Sequence, residues 1–175
     1  MAAEPGPGPG PGPGPGSGSL PERVEDARVL HGLALLRARE YFAAHEALEE
    51  AWRELEGREP AWRDVLQGLI QLAVALEHLR RDNALGAFNV WQRARGKLRK
   101  VPAWVAGIGV AEWGTRIEAH FGAAGLSERV KMQLEGGVAA GEEHIQASDL
   151  PPLPPPEAWP VPPLRNELVA RLPAL

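Results

Sequence analysis

One helix-length segment near the middle of the chain, Pro60 to Arg81, is apolar round most of its circumference. Val65, Leu66, Leu69, Ile70, Leu72, Ala73, Val74, Leu76 and Leu79 spread over a helical wheel rather than along one stripe. Such a helix is stable in water only when other helices enclose it, which places it at the centre of a bundle. It is no membrane span, because Gln67, Gln71, Glu77 and His78 interrupt it and a bilayer core needs about 20 apolar residues in succession. Pro60 opens the segment where a missing N–H costs nothing.

The flanking sequence supplies the enclosing helices. Ser19 with Glu22 forms a capping box, and an apolar stripe carries helix one on to Ala38. Helix two runs from Tyr41 to Glu56 and ends at Gly57. The turn signal Asp82-Asn83 introduces helix four, Ala84 to Lys100, which Pro102 stops. A fifth helix covers Val110 to Ala124, and residues 127–135 suit a short sixth. Strand signals are weak, with one Thr and no sustained alternation. The expected fold is all-α, a compact antiparallel bundle of about five helices with disordered Pro/Gly-rich ends. The expected division is a Pro-Gly tail at 1–18, the helical domain at 19–126, and a weakly structured Pro-rich tail at 127–175. Within that tail, Leu164 to Leu172 is a short helical stretch with no strong signal that it docks.

Composition excludes several classes of function. The chain has no Cys, so disulfide scaffolds, thiolate metal sites and cysteine nucleophiles are ruled out. A net charge of −4 gives no global attraction to nucleic acid or anionic lipid. No basic leader with an apolar run opens the sequence, so a cytoplasmic, membrane-free protein is expected. Cofactor and partners are unknown from the sequence, and homo-oligomerisation stays open.

The chemistry-bearing residues converge between helices two and three. His45, Glu49 and Trp52 stand at i, i+4 and i+7, and so share a face. Gln67, Gln71 and His78 form a second polar stripe. With a connection at Gly57–Glu59, the two helices are antiparallel neighbours, and facing residues have numbers summing to roughly 116–118. His45 then falls opposite Gln71, and Glu49 opposite Gln67. One reading is a hydrogen-bond network that sets helix register, since Gln can bridge imidazole and carboxylate. The other is a site, with His45, Glu49 and His78 as candidate metal ligands of a hydrolase-like enzyme. Glu49 stands where a zinc-protease motif has its second histidine, and no complete catalytic set is visible. Glu46 and Glu50 fall beside this face and can pair with Arg53.

Other features have simpler readings. Trp52, Trp62, Trp91, Trp104 and Trp113 suit core or rim packing. Arg93, Arg95, Lys97, Arg99 and Lys100, with Arg80 and Arg81, form a basic face. Most of it complements the dipole at the end of helix four; the rival reading is an anionic-ligand or RNA surface. His31, His120 and His144 lack partners at metal spacing and read as surface or satisfied histidines.

The run Glu40-Tyr41-Phe42-Ala43-Ala44-His45-Glu46-Ala47-Leu48-Glu49-Glu50-Ala51-Trp52, followed by Leu66-Gln67-Gly68-Leu69-Ile70-Gln71 and on to His78, resembles the family called domain of unknown function 309. Arg80-Arg81-Asp82-Asn83 continue the likeness, which covers roughly residues 25–125. The resemblance singles out His45, Glu46, Glu49, Trp52, Gln67, Gln71 and His78, and implies a compact all-α bundle. It implies no reaction. The family usually has an acidic residue where this chain has Ala43, and often a His where it has Glu77. The function expected is that of a small helical binding or interaction module.

Overall fold

A computed structural model describes residues 26–55, 60–135 and 150–175 of the chain. Among the described residues there are seven α-helices: α1 Ala27–Ala38, α2 Tyr41–Arg53, α3 Pro60–Arg80, α4 Ala84–Leu98, α5 Val110–Ala123, α6 Leu126–Glu135 and α7 Asn166–Val169. One hairpin, β1 Trp104–Val105 with β2 Ile108–Gly109, precedes α5. The fold is all-α, and no described helix is long and apolar enough to cross a membrane.

The apolar segment takes the central place. α3 packs on α2 and on α4; α1 lies against α2, and α5 and α6 against α4. Val65, Leu66, Leu69, Leu72, Ala73, Leu76 and Leu79 are all buried. Small residues set the approach of its neighbours. A Cβ at Gly68 would sit 2.9 Å from Leu98 Cγ, and one at Gly32 2.6 Å from Leu48 Cγ.

Helix ends differ from expectation at several points. α1 begins at Ala27, where Asp26 accepts from the Arg28 N–H. The capping box at Ser19 and Glu22, the Pro-Gly tail, Gly57 and His144 lie outside the described residues. α1 and α3 both end in a Schellman motif with a non-glycine in the left-handed conformation. Arg39 has φ 64° and Asp82 φ 56°. The Glu40 N–H reaches Leu35 O at 2.9 Å and the Asn83 N–H reaches His78 O at 2.9 Å. The hairpin was absent from the sequence reading because its strands are two residues long. Its turn has positive φ at both Ala106 and Gly107, the type I′ pattern.

The C-terminal segment is better ordered than its proline content suggests. Pro163 O accepts from the Gly109 N–H, and the Arg165 N–H donates to Gly107 O, so the chain lies along the hairpin. Trp159 and Leu168 are buried in the core, and Arg129 holds Pro151 O at 2.7 Å. A few large apolar side chains in a polar, Pro-rich stretch are enough to dock it, and composition averages over them. His120 is likewise neither a surface nor a satisfied histidine. It is buried, its Nε2 has no partner, and its ring lies 4.8 Å from that of Trp159.

Candidate functional site

α2 buries Tyr41, Ala44, Leu48 and Ala51, a spacing that keeps one stripe against the core. His45 and Glu49 each follow a member of that stripe, so they are turned about 100° from it. They are only partly buried, with side chains 27% and 32% exposed. On α3 the same logic isolates Gln67, Gln71, Val74 and His78, the partly buried stripe of a helix otherwise enclosed from Val65 to Leu79. α2 and α3 pack against each other along a seam. Ala51 and Leu55 line a cavity with Leu66 and Trp62, and the Arg63 guanidinium stacks 4.1 Å over the Trp52 ring.

The expected hydrogen-bond network does not form. Among the described residues, neither Gln67 nor Gln71 bonds to His45 or Glu49. Glu49 turns along its own helix, 3.0 Å from Arg53 and 3.6 Å from His45 Nε2. A partner one turn away on the exposed flank is nearer than an amide across the seam. Gln71 Oε1, His45 Nδ1 and Trp52 Nε1 are buried without protein partners. Glu46 is exposed, and Glu50 lies 3.9 Å from Arg28 rather than pairing with Arg53.

What the structure gathers instead is the His45–His78 end of the seam. A cleft of about 260 Å³ there is lined by Tyr41, Phe42, His45, Val74, Glu77, His78 and Arg81. Phe42 is 54% exposed, and its ring is 6.2 Å from that of His45. Glu77 is only 8% exposed; Oε1 accepts from Arg81 Nε at 2.6 Å, and Oε2 forms an ion pair with Arg80 Nη2 at 2.5 Å without a hydrogen bond. Its charge is held by two cations, which is how a buried carboxylate is tolerated. His78 has a fixed tautomer. Asn83 caps α4 by accepting the Gly86 N–H on Oδ1 at 2.8 Å, which leaves its NH2 group 3.1 Å from His78 Nδ1. In the neutral ring that nitrogen accepts from the Asn83 amide and the proton is carried on Nε2.

No three His, Asp or Glu side chains among the described residues come together as metal ligands. His45 and His78 share the cleft, whereas Glu49 is engaged by Arg53 one turn away. The three-ligand set His45, Glu49 and His78 is therefore not assembled. Residues that the sequence reading left out of the site are Tyr41, Phe42, Glu77 and Arg81. Glu77 carried a usable signal, as the one carboxylate within Leu66–Leu79.

On the basic face, Arg95 is 2.6 Å from Glu118, and a cavity of about 390 Å³ runs beside them, lined also by Trp91, Leu98, Arg99 and Thr115.

Comparison with known proteins agrees with the motif. Residues 29–90 match the model of the family described as "Domain of unknown function (DUF309)". An uncharacterized protein of Bacillus subtilis (strain 168), YpuF, is 51% identical over 51 residues, which is 28% of this chain and 27% of that protein. The match thus spans about a quarter of the relative's length. The matched stretch, residues 29–90, runs from α1 into α4 and holds His45, Glu49, Gln67, Gln71 and His78, so the likeness to the DUF309 family covers the whole polar motif.

Proposed function

We propose that this helical domain is a binding module whose ligand enters the cleft between α2 and α3 at the His45–His78 end. The observation that carries the reading is the cleft itself: about 260 Å³, with both motif histidines on its walls and Phe42 half-exposed beside them. Concave sites with a few polar groups on an apolar lining are where small ligands bind. Phe42 and His45 offer flat ring faces, and His78, held as the Nε2–H tautomer, offers a donor. A small heteroaromatic molecule with an acceptor atom suits that combination. The test is a titration with benzimidazole and nicotinamide, followed by imidazole and backbone NMR signals. Binding should move His45 and His78 resonances, and Phe42→Ala and His78→Ala should each weaken it. Signals that stay still, or variants that bind as well as the parent, would refute the reading.

A second reading rests on the cavity beside Arg95 and Arg99, where an anionic ligand or RNA would meet the exposed Arg99 while Arg95 stays paired with Glu118. It requires binding that weakens steeply with salt; binding insensitive to salt removes it.

A further inference from the structure

A second cavity, of about 300 Å³, shares Tyr41 with the α2–α3 cleft as a lining residue. Arg39, Tyr41, Arg80, Leu153, Pro154 and Trp159 line it, so the C-terminal segment forms one wall and the helices the other. Three features set it apart from a packing void. Tyr41 is 1% exposed, yet its hydroxyl has no partner. Arg39 Nε is also buried and unpartnered, although Arg39 Nη2 donates to Glu157 O at 2.6 Å and so anchors the wall. Arg39 holds this place from a left-handed backbone, φ 64°, a conformation that costs a side-chain-bearing residue roughly 1 kcal/mol or more.

Both orphaned groups are donors, and a buried donor left unpaired is costly. The charges within reach of the Tyr41 hydroxyl are Arg39, Arg80 and Glu77. Glu77 is already shared between Arg80 and Arg81, so the pocket carries excess positive charge. Burial pushes the Tyr41 phenol well above its usual range and keeps it a proton donor. The remaining wall, Leu153, Pro154 and the Trp159 ring, is apolar, and Trp159 stacks on Tyr41 with centroids 5.8 Å apart.

We propose that this pocket is a binding site for a small organic anion, whose carboxylate meets the Tyr41 hydroxyl and the Arg39 guanidinium while its apolar body lies against Trp159. The site is separate from the α2–α3 cleft, and its Trp159 wall lies beyond the segment matched by the family.

Three probes divide the recognition into its parts: benzoate (head and body), benzamide (body alone) and inorganic phosphate (head alone). Each is titrated into the full chain while the Trp159 indole N–H is followed by NMR. Benzoate should shift that signal saturably, with benzamide and phosphate each weaker by roughly tenfold or more, since a charge-assisted pair and apolar burial each contribute on that scale. Arg39→Lys should also weaken benzoate, but it risks releasing the C-terminal segment. Tyr41→Phe avoids that risk, because the ring and its stacking remain. It should lose benzoate affinity roughly five- to tenfold while its unliganded melting temperature stays level or rises. An unmoved Trp159 signal, benzamide or phosphate binding as tightly as benzoate, or parent-like benzoate affinity in Tyr41→Phe would overturn the proposal.

Discussion

Asn83 serves two neighbours with one amide, and it shows how a helix cap reaches into a site. Its oxygen closes the start of α4 on the Gly86 N–H, and its nitrogen fixes which way His78 carries its proton. Asn83→Asp keeps the cap, since Asp is as good an N-cap, but it puts an acceptor where a donor stood. The His78 proton should move to Nδ1, visible as exchanged ¹⁵N shifts of the two ring nitrogens, with stability altered by less than about 0.5 kcal/mol. Asn83→Ala should instead cost about 1 kcal/mol in urea denaturation. Sequence spacing points to His45, Glu49, Gln67, Gln71 and His78, of which His45 and His78 line one cleft. It could not say which partner each polar group takes, because a turn of about 100° separates the buried stripe of α2 from His45 and Glu49. Arg39 was invisible for a different reason: a left-handed cap is signalled by glycine, and here an arginine occupies it.

At the level of elements, helix periodicity locates α2, α3, α4 and the weaker α5 to within three residues, and the first three also have a visible stop. The hairpin escaped because two-residue strands have no period to detect. The C-terminal segment shows a limit of composition, since Trp159 and Leu168 dock a stretch that is otherwise proline and charge. Glycines within helices separate contact from propensity. Gly68 lies where a methyl group would run into Leu98, whereas a Cβ at Gly96 in α4 meets nothing within 4 Å. Gly68→Ala should therefore destabilise by about 1–3 kcal/mol, and Gly96→Ala should stabilise by about 0.5–1 kcal/mol. Equilibrium unfolding of the two variants checks both signs, and equal effects would contradict the close α3–α4 approach.

The stability of the molecule as a whole depends on pH partly through one buried histidine. Burial pushes the His120 imidazole down to about 4, against 6.5 for the exposed group. Between those values the unfolded chain binds the proton and the folded chain does not, so stability is at its full value above pH 7 and falls as pH drops toward 4. The total loss is roughly 3 kcal/mol. Urea midpoints at pH 7.5 and pH 5 should show this fall in the parent and much less of it in His120→Leu. Because His120 packs on Trp159, Trp159→Ala should also expose the C-terminal segment to protease, cutting it at a dose that leaves α1 to α4 intact. Tyr41 has a further consequence. Its side chain lines two hollows, so any guest that tilts the ring in one alters the wall of the other. Thermodynamic reciprocity then makes the conversation two-way: whatever factor the first guest imposes on the second, the second returns in full.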